Sequence, residues 1–143
     1  MTIYIVDASV AAKWLLPAAG ERLLDQANRL LASHVRRQLQ LLAPSWIEAE
    51  LGNVLWKAVR SGRIRREEAE NPLRQFAALG IELLPVSDLL EQALQIALSY
   101  DRSFYDSLYV AMAIACKTEL ITADERLVNV LGRRLPVRWL GDF

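Results

Sequence analysis

The apolar positions of the chain alternate between short continuous runs and longer stretches of helical period. Ile3–Val6 is a run of bulky, β-prone residues, and a helix-forming stretch follows it from Ala8 to Leu16. A continuous apolar run of this length predicts a strand buried on both faces. Asp7 stands between the two, so we expect a carboxylate at the C-terminal end of the first strand. In open parallel sheets, functional groups gather just beyond that end.

The same alternation continues along the rest of the chain. Further strands are predicted at residues 39–43, 81–85, 119–122 and 136–140, the last at a sheet edge. Further helices are predicted at 21–37, 45–60, 65–79 with a break at Asn71-Pro72, 87–99, 104–117 and 124–131. Ser45 and Ser87 are expected to cap their helices, and Ser61-Gly62 to close the helix at 45–60. This alternation predicts an α/β fold with a parallel sheet and helices on both faces.

Composition narrows the classes of protein. A length of 143 residues with 53% hydrophobic residues suits a single domain over residues 1–143. One cysteine, Cys116, and one histidine, His34, exclude a disulfide framework and a multi-histidine zinc site. We expect His34 on a helix surface and Cys116 in the core. No apolar run is long enough to span a membrane and no signal peptide opens the chain, so we expect a soluble, cytoplasmic protein.

Two further acids stand where helices begin. Asp106 follows Ser103 by three residues, which fits a capping box, although small and apolar residues share its helix face. A carboxylate on a buried face needs a partner, because a buried unpaired charge costs several kcal/mol. Asp124 follows the strand at 119–122 directly, and Thr122 with Glu125 also fits a capping box. Asp124 is the second acid predicted at a strand end.

The helix at 45–60 offers a fourth acid. Glu50 and Glu48 lie at opposite edges of its apolar stripe, so helical geometry alone does not choose between them. Polar neighbours, Asn53 and Lys57, favour Glu50 slightly. Four carboxylates at one sheet edge would repel one another by roughly 3 kcal/mol per pair at 5 Å. An all-oxygen cluster suits Mg²⁺ or Mn²⁺, and with no phosphate-binding glycine loop it favours phosphodiester hydrolysis by a metal-activated water.

Four ordered motifs carry a resemblance to a known family. They are Ile5-Val6-Asp7-Ala8-Ser9, the stretch Pro44 to Leu55 with its acid three residues before Asn53, the stretch Tyr105 to Ala113, and the stretch Leu120 to Leu127. Together with the ending Val137-Arg138-Trp139-Leu140, they resemble the PIN-domain proteins, specifically the VapC toxins of bacterial toxin–antitoxin pairs. The second motif selects Glu50 over Glu48. Any one motif is weak, but the ordered set covers essentially the whole chain.

The resemblance implies a fold and an activity. The fold is a PIN-like three-layer sandwich around a five-stranded parallel sheet of order 3-2-1-4-5. The activity is that of a Mg²⁺-dependent endoribonuclease, with Mn²⁺ as a substitute, that dimerises and is blocked by a cognate VapB-like antitoxin. Asp7 and Asp106 would be the principal metal ligands, and Glu50 and Asp124 would complete the catalytic pocket. Ser9, Asn53 and Thr122 would support these acids.

Charge and tryptophan placement suggest where partners bind. The chain has 17 Lys and Arg against 17 Asp and Glu, so RNA binding would need a local basic patch. Candidates are Lys13, Lys57, Arg60 and Arg63, although cations at a helix end are equally ordinary. The four tryptophans are most simply core residues. Trp14 and Trp56 could instead belong to an antitoxin groove or dimer interface.

Two other functions compete with a ribonuclease. A non-catalytic module with the same fold would not need all four acids, and all four are present. A receiver-like phospho-acceptor would place another acid one or two positions after Asp7, where the chain has Ala8 and Ser9. The ribonuclease interpretation is therefore preferred.

Overall fold

The structure is a computed structural model that describes residues 1–143. The five strands are β1 (Thr2–Val6), β2 (Leu39–Pro44), β3 (Glu82–Leu84), β4 (Glu119–Thr122) and β5 (Val137–Trp139). The seven α-helices are α1 (Ala8–Leu15), α2 (Leu24–Val35), α3 (Ile47–Arg60), α4 (Pro72–Ala77), α5 (Leu90–Tyr100), α6 (Phe104–Ala115) and α7 (Glu125–Leu131). Short 3₁₀ helices lie at Arg66–Ala69, Ser87–Leu89 and Leu140–Asp142.

The strands form one sheet in the order β3-β2-β1-β4-β5, and every neighbouring pair is parallel. This confirms the predicted α/β sandwich and its strand order. β1 lies between β2 and β4, with Val6 beside Ile121. Because all strands run the same way, the residues that follow β1 and β4 meet at one edge of the sheet. Asp7 and Thr122 are thereby neighbours.

The core follows from the apolar runs of the central strands. Ile5, Val6, Leu120 and Ile121 are fully buried, and α6 packs its apolar face against these strands. Seven consecutive residues of α6, from Ser107 to Ala113, are buried. No helix combines the length and the apolar character that crossing a membrane would require.

Several helix boundaries differ from the sequence prediction. α2 begins at Leu24 rather than Glu21, because Leu23 adopts a left-handed conformation with φ of 58°. Ser45 does not cap α3, whose N-cap is Trp46, and Ser87 lies in a 3₁₀ helix before α5. These serines were predicted as caps from residue type alone, whereas a cap also needs an extended backbone at that position.

Other predicted boundaries are confirmed. Pro72 begins α4 after the break in the 65–79 stretch, at a first-turn position where its missing N–H is not needed. Ser61 is the C-cap of α3, and Gly62 follows with φ of 79°, which is a conformation that glycine adopts without strain.

His34 lies in α2, as predicted, but it is partly buried rather than free on the helix surface. The backbone N–H of Leu41 donates to His34 Nδ1 at 3.1 Å, and His34 Nε2 lies 3.2 Å from the carbonyl oxygen of Leu79. The ring therefore ties the end of α2 to β2 and to the end of the α4 segment. Since Nδ1 accepts, this geometry requires the tautomer that carries its proton on Nε2.

The tryptophans divide between two environments. Trp14 and Trp46 are partly buried against the main core, and Trp14 Nε1 donates to the carbonyl of Ala27 at 2.9 Å. Trp139 is also partly buried, in β5. Trp56 is 55% exposed, with the guanidinium of Arg60 stacked 5.2 Å from its ring. Trp56 is therefore not a core residue, unlike the partly buried Trp14 and Trp46, which pack against the core.

Candidate active site

Asp7 is the buried centre of the site. It is only 6% exposed and caps α1, where its Oδ1 accepts from the Val10 N–H at 3.2 Å. Ser9 Oγ donates to the same oxygen at 2.5 Å. Burial raises the pKa of Asp7 to about 6 against the lowering effect of these bonds, and the negative charge of Asp106 adds to the rise. Asp7 is thus close to half-protonated near pH 6.

Ser9 and Thr122 link Asp7 to the strand beside it. Ser9 Oγ lies 3.3 Å from Thr122 Oγ1 and accepts from the N–H of Ala123 at 2.9 Å. Thr122 Oγ1 in turn accepts from the N–H of Asp124 at 3.1 Å. This chain of hydrogen bonds fixes the ends of β1 and β4 relative to each other.

Glu50 points toward Asp7, whereas Glu48 is exposed to solvent. The phenol of Tyr109 donates to Glu50 Oε2 at 2.8 Å, and Glu50 is partly buried. Burial raises the pKa of Glu50, the Tyr109 bond opposes the rise, and the charges of Asp7 and Asp106 add to it. Of the two acids on α3, Glu50 is thus the one that lies within electrostatic reach of Asp7 and Asp106.

Asp106 lies in the first turn of α6 and is partly buried. Its backbone N–H donates to Ser103 Oγ at 3.0 Å, so the capping role predicted for Ser103 is present. Burial raises the pKa of the Asp106 carboxyl, and the charge of Asp124 adds to the rise. The Ser103 bond and the nearby charge of Arg102 oppose it. Asp106 therefore lies within electrostatic reach of all three other acids.

Asp124 is exposed and is itself the N-cap of α7. Its Oδ1 accepts from the N–H groups of Arg126 at 3.0 Å and Leu127 at 3.4 Å. The predicted capping box with Thr122 at the N-cap was therefore wrong, because the helix begins two residues later. The Oδ1 atom of Asp124 is occupied by these two hydrogen bonds, and the backbone of α7 thereby orients the carboxylate.

The four acids lack a cationic partner. The ion pairs of the chain are formed by other acids, namely Glu21, Glu68 and Glu119. Arg102 is the only cation that lowers the pKa of any of the three acids with shifted values. Like charges at such a site are tolerated when protons or a divalent cation neutralise them.

The carboxylates do not form a complete set of metal ligands by themselves. No three His, Cys, Asp or Glu side chains lie close enough together to hold one metal ion. Fewer than three carboxylates are enough for Mg²⁺, which is commonly held by one or two carboxylates and keeps several waters. The hard oxygen donors at this edge, without a thiolate or imidazole, fit the same kind of ion.

Tyr109 is a site residue that the sequence did not single out. It is 1% exposed in the middle of α6, and burial together with the charges of Glu50 and Asp7 raises the pKa of its hydroxyl far above its usual value. It therefore remains a hydrogen-bond donor at any ordinary pH. A phenol among small and apolar residues, one turn after Asp106, was the signal that could have identified it.

Two of the four predicted RNA-binding cations are already engaged. Lys13 Nζ donates to Glu21 Oε2 at 3.0 Å, and Arg63 Nη2 donates to Glu21 Oε1 at 2.5 Å. Lys57 and Arg60 are exposed on the last turn of α3. The four residues therefore do not form one free basic patch.

Two clefts flank the acids. One, of about 310 Å³, is lined by Asp124 together with basic residues that include Lys13, Arg22 and Arg126. The other, of about 340 Å³, is lined by Trp46, Ala49, Glu50, Asn53 and Tyr105, and we call it the aromatic cleft. Arg22 and Arg126 were missed by the sequence analysis, because they are isolated cations in the sequence and only the fold brings them to Asp124.

Comparison with known proteins agrees with this geometry. The family model described as "PIN domain" matches residues 4–131. The chain is 34% identical over 130 residues to ribonuclease VapC3 of Pyrobaculum aerophilum, covering 87% of this chain and 92% of that protein.

Solved structures agree as well. The protein PAE2754 of Pyrobaculum aerophilum superposes with a TM-score of 0.70 at 25% identity, over 99% of this chain and 92% of that one. A chain of a toxin–antitoxin complex from Klebsiella pneumoniae gives a TM-score of 0.61 at 16% identity, over 94% and 95%. At that identity the second likeness concerns the fold alone. The chain belongs to the PIN-domain family and, within it, is of the VapC type.

Proposed function

We propose that this chain is a metal-dependent endoribonuclease, the toxin of a VapBC-like toxin–antitoxin pair. The observation that carries the proposal is the set of acids Asp7, Glu50, Asp106 and Asp124. They lie at the C-terminal edge of a parallel sheet, influence one another's charge, and have no cationic partner. A site of this kind binds a divalent cation and a phosphodiester better than a neutral ligand.

The acids have different tasks in this proposal. Asp7 and Asp106 would hold the ion, and Glu50 and Asp124 would complete its surroundings. Mg²⁺, or Mn²⁺ in its place, would neutralise phosphate charge and make water more acidic. Ser9 keeps Asp7 in one rotamer through its 2.5 Å hydrogen bond, and Tyr109 holds Glu50 in the same way. Metal-coordinating carboxylates are commonly oriented by such partners.

The partners follow from the same proposal. RNA is the substrate, and the exposed Arg22 and Arg126 in the cleft beside Asp124 offer cations for its phosphates. A neighbour of the same fold was solved as a toxin–antitoxin complex, which supports a VapB-like antitoxin as the protein partner. We further propose a homodimer, for which exposed Leu94, Leu98 and Trp56 provide apolar surface. Such a toxin would act in the cytoplasm, where its RNA substrate is.

The test is RNA cleavage by the purified protein with Mg²⁺ or Mn²⁺. Asp7→Asn and Asp106→Asn should each lower the rate by at least about 100-fold, since each removes a carboxylate that would hold the ion by which the phosphate charge is neutralised. Glu50→Gln and Glu48→Gln are matched variants, because both change one acid of α3. Only Glu50→Gln should lose activity. Circular dichroism would verify that each variant is folded.

Three results would contradict the proposal. One is that the parent cleaves no RNA with either metal, which would instead support a non-catalytic module. The second is that the Asp7 and Asp106 variants cleave as fast as the parent. The third is that chelation of divalent cations leaves the rate unchanged.

A further inference from the structure

The aromatic cleft lies directly beside the acids. Ala49, Glu50 and Asn53 contribute one face of the first two turns of α3, and Tyr105 comes from the start of α6. Glu50 belongs to both the cleft and the acid site. A group that occupies the cleft is therefore next to the reacting phosphodiester. Its volume of about 340 Å³ is at the lower end of small-ligand sites, which begin at about 300 Å³.

The aromatic side chains that line the cleft pack against one another and against a buried ring. The rings of Trp46 and Tyr105 lie 5.4 Å apart at 48°, and Trp46 rests on the buried ring of Tyr109 at 4.8 Å. Tyr105 itself is 63% exposed, although it directly precedes Asp106. A large aromatic side chain exposed at the edge of an active site is available for stacking, and its supported neighbour limits its movement.

The polar residues of the cleft suit a base rather than a phosphate. No Lys or Arg lines it, and the carboxylate of Glu50 would repel a phosphate group. The other cleft carries the cations. Asn53, one turn after Glu50, presents an amide that can both donate and accept, as the edges of nucleobases do.

We propose that the aromatic cleft is a stacking site for one unpaired nucleobase of the RNA, adjacent to the cleaved bond. The inference rests on the proposed ribonuclease function and adds to it the position at which the enzyme reads its substrate. Sequence-specific RNA recognition commonly places an unstacked base on an aromatic side chain and contacts its edge by hydrogen bonds. Tyr105 supplies the stacking surface, Trp46 supports it, and Asn53 contacts the edge.

The test combines Tyr105 variants with abasic RNA. A single-stranded oligoribonucleotide that the parent cleaves is prepared with one base removed at each position in turn. Binding is measured in an Asp7→Asn background, so that the RNA stays intact. We expect one position beside the cleaved bond at which base removal weakens binding about tenfold, the usual effect of losing one stacked base. Tyr105→Ala should weaken binding of intact RNA by the same factor. In this variant, removal of the base at that position should weaken binding no further.

Control variants separate stacking from other effects. Tyr105→Phe keeps the aromatic ring, so removal of the base at that position should still weaken binding. Val35→Ala removes a side chain that is 63% exposed at the C-terminal end of α2 and does not line the cleft, and it should bind like the parent. Asn53→Ala should change which base is preferred at the position more than it changes overall affinity.

The outcomes distinguish this site from the function on which it rests. Failure of the parent to cleave any RNA would overturn both proposals. If the parent cleaves RNA, but removal of each base weakens binding to Tyr105→Ala as much as it weakens binding to the protein with Tyr105, the stacking site alone is overturned. Unchanged RNA binding with weakened antitoxin binding in Tyr105→Ala would also overturn it, because the cleft would then hold a protein side chain.

Discussion

Asp7 connects the chemistry of the site with the stability of the fold. Its pKa of about 6 lies above the ordinary value of 3.8, so folding favours the protonated carboxyl. The stability that Asp7 contributes is full below about pH 3.8 and is lost as the pH rises through 6. At pH 8 the folded protein therefore contains a buried, ionised carboxylate among other acids.

Asp7→Asn should for this reason stabilise the metal-free protein in alkali. Asparagine keeps an oxygen that can accept from Ser9 and Val10, but it carries no charge. Since one pKa unit corresponds to about 1.4 kcal/mol, we expect the free energy of unfolding to rise by up to about 3 kcal/mol at pH 8. Urea denaturation at pH 8 and pH 4.5 measures this, and the difference should shrink at the lower pH. An equal difference at both values, or a similar gain in Glu48→Gln, would contradict the prediction.

We expect Tyr109 to influence the proposed reaction through its hydrogen bond to Glu50. Tyr109→Phe removes the donor that lies 2.8 Å from Glu50 Oε2 and leaves the ring packed against Trp46. Because that hydrogen bond lowers the pKa of Glu50, its loss should raise this pKa further.

The expected result is a pH–rate profile for RNA cleavage whose acidic limb moves to higher pH, with a stability loss of about 1 kcal/mol. A purely structural role for Tyr109 would lower stability and leave the profile where it is. That outcome would contradict the assignment.

At the scale of elements, Glu21 joins α1, the segment before α2 and the end of α3. It binds Lys13 of α1 and Arg63 beyond α3, and its side chain is 11% exposed. Burial tends to raise the pKa of Glu21, but the hydrogen bonds and charges of Arg63 and Lys13 outweigh it and the net pKa is lowered. Its contribution to stability is thus present at neutral pH and is lost as the pH falls through this lowered pKa.

Glu21→Gln should therefore lower the free energy of unfolding at pH 7 by about 1 to 3 kcal/mol, since Lys13 loses its counter-charge while 10% exposed. The loss should diminish in acid, where the parent is protonated too. Glu68→Gln is the matched control, because its ion pair with Arg65 is exposed to solvent and should contribute less than the ion pairs of Glu21. Equal effects of the two variants in thermal or urea unfolding would contradict this account.

The elements show what the sequence could and could not predict. The apolar runs before Asp7 and Asp124 predicted two strands correctly, and their parallel pairing brought both acids to one edge. Ser45 and Ser87 failed as caps because residue type does not determine backbone angles. The Tyr109–Glu50 bond joins residues 59 positions apart, so no periodicity within a helix could reveal it. The same holds for His34, whose partners are in β2 and near the end of α4.

At the scale of the whole molecule, the fold separates charge. Cations line the cleft that contains Asp124, and aromatic rings line the cleft that contains Glu50. A chain with equal numbers of acidic and basic residues thereby acquires a site with a strong local field. The net charge of the chain therefore gives no sign of this site, whereas the four ordered acids do.

The same separation predicts that a divalent cation stabilises the folded protein. An ion that binds only the native state adds about 2.7 kcal/mol at a concentration 100 times its Kd. Mn²⁺ or Mg²⁺ should therefore raise the Tm of the parent, and chelation should reverse the rise. Asp106→Asn should respond much less, while Glu48→Gln should respond like the parent.

The pH dependence of that stabilisation follows from the acids themselves. Metal ligands must be deprotonated, and the pKa values of Asp7, Glu50 and Asp106 are all raised. The metal-induced rise in Tm should accordingly decline between pH 8 and pH 5, a range in which ordinary carboxylates stay ionised. Thermal unfolding with Mn²⁺ across this range measures it. A pH-independent rise in Tm, or one that persists in the double variant Asp7→Asn/Asp106→Asn, would locate the ion away from these acids.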